Sequence, residues 1–163
     1  MTHDHTRALA RIRTADAADA DALAGLINAA FVVERFFKAG NRTSPAAVRS
    51  LMATGAILVA DDATGAPAGS VFVEIRGDRA AIGMVSVDPS RQRRGLGRAL
   101  MAAAERHARA HGCVAADISI VNLREELPPF YRRLGYEEAG TAPFDPKEPT
   151  TRECHFTLMA KTL

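Results

Sequence analysis

The stretch from Val85 to Gly112 constrains the fold of this chain more than any other. A short apolar segment leads to Pro89, six residues reading Gln-Arg-Arg-Gly-Leu-Gly follow from position 92, and an Ala-rich pattern with helical spacing comes next. This order predicts a strand, a glycine turn and a helix. Gly95 and Gly97 let the backbone approach a ligand closely, because both lack a Cβ atom and both can adopt positive φ. A helix that starts there offers free N–H groups and the positive end of its dipole to an anion, so we predict a diphosphate ligand.

Length and composition limit the classes of protein. The chain has 163 residues, which fits a single domain over residues 1–163, and its 47% hydrophobic and 25% charged content is typical of a globular protein. The formal net charge is +2 and no run of basic residues occurs, so we expect no nucleic-acid partner. No apolar stretch approaches the roughly 20 residues that span a bilayer, and no signal-peptide core occurs, so we expect a cytoplasmic protein without a membrane partner. Cys113 and Cys154 lack metal-ligand spacing, so we expect no metal.

Hydrophobic periodicity gives the order of elements. A strand near residues 11–13 precedes a helix that Asp16 caps, and Ser44-Pro45 opens a second helix ending near Thr54. Three apolar runs separated by turn signals then predict an antiparallel meander: 56–61, 68–76 and 79–87. The helix after the glycine turn and a strand over 114–121 predict a parallel βαβ crossover. A short helix over 127–134, a strand near Tyr136 and a last strand over about 152–159 complete the order.

Two other phosphate-binding motifs fit the turn poorly. A P-loop requires Gly-Lys followed by Ser or Thr, whereas Arg98 and Ala99 follow Gly97 here. A dinucleotide fingerprint requires a third glycine where Leu100 stands, and Asp117 falls inside a strand, where it cannot bind a ribose in the usual way. A nicotinamide-dependent oxidoreductase is therefore a minor alternative, and it predicts binding of NAD.

The residues resemble the GNAT superfamily of acyl-CoA-dependent N-acyltransferases. The family signature Gln/Arg-x-x-Gly-x-Gly/Ala is matched by Gln92, Gly95 and Gly97, after a strand that ends Val-Ser-Val-Asp-Pro. A second match lies in Val121-Asn122 followed by Phe-Tyr-Arg-Arg-Leu-Gly-Tyr from position 130. The order of elements agrees over nearly the whole chain. The resemblance implies a mixed α/β fold with a twisted, largely antiparallel central sheet, one parallel βαβ crossover and about four flanking helices.

The resemblance also implies a coenzyme A site and acetyl-CoA as co-substrate. In the family, backbone N–H groups of the turn hold the diphosphate, and the end of the preceding strand pairs with the pantetheine arm. Gly83 is a candidate for a bulge that opens this strand. By position, Asn122 matches a pantetheine-binding asparagine, although a polar strand cap is the other interpretation. The expected coenzyme A residues are Val85, Ser86, Val87, Gln92, Arg93, Arg94, Gly95, Leu96, Gly97, Arg98, Asn122 and Tyr131.

The implied reaction is attack of a neutral amine on the acetyl thioester. Tyr131 matches the tyrosine that protonates the departing thiolate in many members of the family, although its spacing from Asn122 is longer than usual. A general base is also needed, because an amine of pKa near 10 must lose a proton. Glu74 and Glu34 are the candidates, and His155 is a further one. An acetyl-cysteine intermediate is not expected, because nothing in the sequence indicates an activated thiol.

The acceptor is expected to be an amine of a small molecule or of a protein. The resemblance implies that two segments bind it, residues 32–43 and the late hairpin over about 141–151. In the first segment we expect Phe36 and Phe37 as an aromatic wall and charges for a zwitterionic or anionic acceptor: Glu34, Arg35, Lys38 and Arg42. Packing of the two phenylalanines between helices is the other interpretation. A catalytically silent module that senses acyl-CoA is the alternative function. The sequence does not fix the oligomeric state; the resemblance implies that the edges of the late hairpin can pair into a homodimer.

Overall fold

The computed structural model describes residues 11–92, 94–145 and 147–163. The first part contains a short strand β1 (Ile12–Thr14) and two helices, α1 (Ala20–Ala30) and α2 (Pro45–Thr54). Asp16 caps a 3-10 turn that leads into α1, in a reciprocal capping box with Asp19. Ser44 caps α2 by accepting a hydrogen bond from the N–H of Ala47, as Ser followed by Pro predicts.

A seven-stranded sheet forms the centre of the fold. Three strands form the predicted meander: β2 (Ala56–Asp61), β3 (Pro67–Arg76) and β4 (Arg79–Val87). After the glycine turn come α3 (Leu96–Ala110), β5 (Ala115–Val121), α4 (Leu127–Arg133), β6 (Glu137–Pro143) and β7 (His155–Thr162). The spatial order is β1-β2-β3-β4-β5-β7-β6, and β4 with β5 is the parallel pair. The described residues thus confirm a mixed, largely antiparallel sheet with one parallel βα crossover and four α-helices.

Helices cover both faces of the sheet, and a separate apolar core fills the space under each pair. Along β2, Ile57 and Val59 pack against α1 and α2, whereas Leu58 and Ala60 pack against the side that carries α3. A strand that is buried on both faces appears in the sequence as a continuous apolar run, as this one does. Two buried leucines, Leu23 of α1 and Leu100 of α3, are fully covered, and burial of each contributes about 1.5–3 kcal/mol.

The helices found in the described residues are too short or too polar to cross a membrane.

Candidate active site

The parallel strands β4 and β5 separate along their length. They pair at Arg79–Ala81 against Ala115–Asp117, and the described register goes no further. Beyond that point β4 stays with β3 as far as Val87, and β5 stays with β7 as far as Val121. The facing edges of the two strands are therefore left open, and the sheet contains a wedge-shaped gap.

A β-bulge in β4 lies at the gap. Ser70 pairs with Ser86 and Phe72 with Gly83, so that Met84 and Val85 together face a single residue of β3. Met84 has a φ of 52°, which is unusual for a residue with a side chain. The hydroxyl of Ser86 donates a hydrogen bond to the Met84 carbonyl at 3.0 Å. The bulge was expected at Gly83 but begins one residue later, and a bulge bends its strand away from a neighbour.

A cleft of about 1070 Å³ runs through this gap. On the α3 side it is lined by the predicted diphosphate turn and by α4. On the other side it reaches the segment between α1 and α2 and the loop between β6 and β7. The strand residues that line it are Ile82, Gly83, Met84, Val85 and Val87 of β4, and Ile118, Ser119, Ile120 and Val121 of β5. A ligand in this cleft can therefore contact both faces of the sheet at once.

The glycine turn stands at the N-terminus of α3. Gly95 is the N-cap with a φ of 78°, whereas Gly97 lies inside the first helical turn without a positive φ. The first intrahelical hydrogen bond is donated by Ala99 to the Gly95 carbonyl at 3.0 Å, so the N–H groups before Ala99 stay available to an anion. Of the two glycines, Gly95 adopts the positive φ that glycine allows and Gly97 does not.

The side chains of the turn occupy different places. Gln92 and Arg98 line the cleft, and Leu96 lines it while packing into the core. Arg94 is exposed and is not among the cleft residues, and Arg93 lies outside the described residues. Because the turn offers backbone N–H groups and a helix dipole, an anion there does not depend on those two side chains.

Tyr131 of α4 lines the cleft from the α3 side. It is 8% exposed, and its ring makes edge contacts with the rings of Phe130 and Tyr136. Its hydroxyl makes no hydrogen bond to a described residue. Every fully buried side-chain oxygen or nitrogen of the described residues does have a hydrogen-bond partner, so this hydroxyl is not fully buried. The hydroxyl therefore reaches the cleft surface. Burial raises the pKa of Tyr131 to about 12, so the phenol stays protonated at neutral pH.

Glu34 lines the cleft from the other side of the sheet, where an arginine holds it. Its Oε2 atom accepts a hydrogen bond from Nη1 of Arg124 at 2.9 Å, and both side chains are largely buried. Nε of Arg124 donates to Glu126 at 2.5 Å. Among the described residues, Oε1 of Glu34 has no hydrogen-bond partner, so this atom is available to a ligand or to water. Sequence reasoning missed Arg124, because the pairing joins positions that are 90 residues apart.

The structure does not bring Glu74 or Asn122 to the cleft. The Glu74 carboxylate accepts a hydrogen bond from Arg76 at 3.0 Å, at the end of β3 away from the gap. Oδ1 of Asn122 accepts from the N–H of His155 at 2.9 Å, and the N–H of Asn122 donates to the His155 carbonyl. Asn122 thus caps the β5–β7 pair, and neither its side chain nor that of His155 lines the cleft.

The expected aromatic wall of Phe36 and Phe37 is also not part of the cleft. Phe37 is fully buried, and Phe36 is exposed beside it with the Arg152 guanidinium over its ring. Other phenylalanines line the cleft instead: Phe31, Phe130, Phe144 and Phe156. Phe31 and Phe36 both belong to a 3-10 helix over Phe31–Phe36. With three residues per turn, this helix directs its side chains differently from an α-helix or an extended segment.

Comparison with known proteins agrees with this geometry. The sequence model of the family described as "Acetyltransferase (GNAT) domain" matches residues 53–138, which include the bulged strand, the glycine turn and Tyr131. The chain belongs to the GNAT acetyltransferase family. This GNAT domain is similar to a solved ribosomal-protein-alanine N-acetyltransferase from Brucella melitensis, with a TM-score of 0.76 and 23% identity over 94% of this chain and 99% of that one.

Two further solved structures share the fold. Nourseothricin acetyltransferase gives a TM-score of 0.74 at 20% identity, covering 93% of this chain and 97% of that one. The protein yncA from Salmonella typhimurium, solved with its cofactor acetyl-CoA, gives 0.73 at 22% identity, covering 94% and 93%. The family match begins at residue 53 and ends at residue 138, so Glu34 lies before the matched part and the loop between β6 and β7 lies after it.

Proposed function

We propose that this protein transfers the acetyl group of acetyl-CoA to an amine. The observation that carries the proposal is the cleft through the sheet, with a diphosphate-type turn at one end and the Tyr131 hydroxyl on its wall. Coenzyme A would place its diphosphate on the N–H groups at the start of α3. Its pantetheine amides would pair with the open edge of β4 at Val85 to Val87.

The chemistry follows from the groups in the cleft. The neutral amine attacks the thioester carbonyl carbon, a C–N bond forms, and the carbonyl oxygen becomes an oxyanion that the N–H of Val85 or a neighbour stabilises. The C–S bond then breaks and the thiolate leaves with a proton from Tyr131. The raised pKa of about 12 means that the Tyr131 phenol carries a proton at neutral pH, and solvent reprotonates it after the transfer. Glu34, through Oε1 and a bridging water, takes the proton that the amine loses.

The first test is ligand-dependent thermal unfolding with acetyl-CoA, coenzyme A and NAD added separately. A ligand at about 100 times its Kd adds about 2.7 kcal/mol of stability, which corresponds to roughly 5–10 °C in Tm for a chain of this length. We expect this rise with both coenzyme A species and none with NAD. A rise with NAD alone would replace the proposal with the oxidoreductase alternative.

The second test is release of coenzyme A thiol in the presence of a panel of amines. We expect Tyr131→Phe to lower kcat by about 100-fold or more, with an unchanged Kd for acetyl-CoA, because the ring packing is kept and only the proton donor is lost. Glu34→Gln is expected to lower kcat as well, whereas Glu74→Gln is the matched control and keeps it. Tight binding of acetyl-CoA without thiol release for any amine would instead support a silent acyl-CoA-sensing module.

A further inference from the structure

One arginine, at the end of the cleft that the segment between α1 and α2 forms, has no carboxylate partner among the described residues. Arg42 lies in the segment between α1 and α2, is half-buried, and lines the cleft with Phe31. Its guanidinium carbon lies 5.3 Å from the centroid of the Phe31 ring. No carboxylate of the described residues lies within salt-bridge distance of it.

The other cations at this end already have anionic partners. Arg124 is paired with Glu34 and Glu126, and Nζ of Lys38 donates to Glu148 at 2.7 Å. The carboxylate of Asp145 also lines the cleft; it accepts the backbone N–H of Lys147 and makes no salt bridge to a described residue. We therefore expect an anionic ligand at this end to pair with Arg42, because Lys38 and Arg124 already have carboxylate partners.

The guanidinium of Arg42 makes no hydrogen bond to a described residue, so its N–H groups stay available to a carboxylate. The contact with the Phe31 ring restrains the guanidinium without using those N–H groups. Two parallel N–H groups match the two oxygens of a carboxylate and give a short, charge-assisted pair of hydrogen bonds. Arg42 can therefore pair with a planar anion such as a carboxylate.

The walls of this end limit the size and the polarity of the acceptor. Phe144 and Phe156 line it as a pair of rings 5.0 Å apart. The loop between β6 and β7 is joined to the segment before Arg42 by the Lys38–Glu148 pair and by a hydrogen bond of 2.8 Å from the N–H of Thr151 to the Phe37 carbonyl. These contacts hold the two segments close together beside the Phe144–Phe156 pair. Such an enclosed, apolar end of a cleft suits a small molecule with an apolar part.

We propose that Arg42 binds a carboxylate of the acceptor, and that the acceptor is a small amino acid or a related compound with an apolar side chain. This inference rests on the proposed function, because it assigns the second substrate of the same cleft. The carboxylate lies on Arg42 and the apolar part lies on the Phe144–Phe156 pair. The amine then points into the gap toward the thioester, where its N–C bond forms as coenzyme A thiol leaves.

The test compares acceptors that differ only in the carboxylate. L-phenylalanine is compared with 2-phenylethylamine, and L-methionine with 3-(methylthio)propylamine, by thiol release at one pH with saturating acetyl-CoA. We expect kcat/KM of the wild type to be at least 10-fold higher for the amino acid of each pair. Arg42→Gln is expected to lower kcat/KM for the amino acids about 10- to 100-fold, mainly through KM, and to leave the carboxylate-free amines within threefold.

Two controls separate the possible failures. Arg49→Gln, an exposed arginine of α2 outside the cleft, removes the same charge and is expected to change neither value. The Kd for acetyl-CoA should be the same in Arg42→Gln and the wild type, and a 10-fold rise would show that Arg42 binds a phosphate of coenzyme A instead. Equal rates with and without the carboxylate would overturn the inference while leaving the proposed function intact. Absence of thiol release with every amine would contradict the proposed function itself.

Discussion

The two glycines of the turn differ in backbone conformation, and this difference predicts opposite effects of alanine at the two positions. Gly95 is left-handed at a φ of 78°, and nothing lies within 4 Å of the place that a Cβ atom would take. In Gly95→Ala the cost is therefore conformational only. Left-handed backbone costs an L-residue about 1–2 kcal/mol, and the lower entropy of the unfolded chain offsets about 0.4–1 kcal/mol of that. We expect a net loss of about 1 kcal/mol.

Gly97→Ala is expected to act in the opposite direction. Gly97 lies in the first turn of α3, and a Cβ atom there would lie 3.5 Å from Cζ of Phe130, which is an ordinary van der Waals contact. Alanine in a helix is more stable than glycine by about 0.5–1 kcal/mol. This accounts physically for a family signature that accepts Gly or Ala at the second position but only Gly at the first.

The assay is thermal unfolding of the two variants side by side, followed by titration with coenzyme A. We expect the Tm of Gly97→Ala to exceed that of Gly95→Ala by roughly 3–8 °C. The Kd for coenzyme A should rise about 10-fold in Gly95→Ala, because the turn relaxes away from its N–H arrangement, and stay within threefold in Gly97→Ala. Gly95→Asn should recover part of the loss, since Asn tolerates left-handed backbone. Equal Tm values for the two alanine variants would refute this reasoning.

Two predictions concern ion pairs outside the cleft. Glu105 is 5% exposed and accepts a hydrogen bond of 2.7 Å from Nζ of Lys161. Because Lys161→Met removes this cationic partner, urea unfolding should show a free energy of unfolding lower by about 2–3 kcal/mol. A change below about 0.5 kcal/mol would mean that the fold does not need the pair. Arg13 donates to Asp19 at 2.8 Å and thereby lowers the pKa of that carboxyl, so the stabilisation is present above the ordinary pKa of about 3.9 and is lost as pH falls through the lowered value. Between pH 4 and pH 2 the Tm of Arg13→Gln should therefore fall less than that of the wild type, and parallel curves would contradict this assignment.

Much of the fold could be predicted because its signals are local. The β2 to β4 meander follows from apolar runs separated by Gly and Pro turns, and the helix caps follow from Asp16 and from Ser44 before Pro45. The same holds for the turn, whose left-handed N-cap requires the glycine that the sequence provides at position 95. Each of these elements depends on residues within a few positions of one another, so periodicity and turn chemistry suffice.

On the proposed acceptor side of the cleft, the sequence indicated the two segments, 32–43 and the late hairpin, but not which of their side chains line the cleft, because the contacts join distant parts of the chain. Glu34 was a candidate from its place in the sequence, but its partner Arg124 lies beyond β5. Phe36 and Phe37 were expected to form the wall, yet Phe144 and Phe156 of the late hairpin do so. Which phenylalanine faces a cleft is decided by the packing of two loops against each other, and neither loop carries a periodic pattern.

The gap between β4 and β5 arises from two independent features that act in the same direction. On one side, the bulge at Met84 turns the second half of β4 outward, and the Ser86 hydroxyl holds the strained carbonyl in place. On the other side, β5 forms seven register pairs with β7 but only three with β4, so the second half of β5 pairs with β7 alone. An open strand edge can pair with a strand of another chain. Here the edge lies inside the sheet, and helices cover both of its faces. The edge is therefore accessible only through the cleft, and an extended ligand with amide groups of its own is the partner that this arrangement favours.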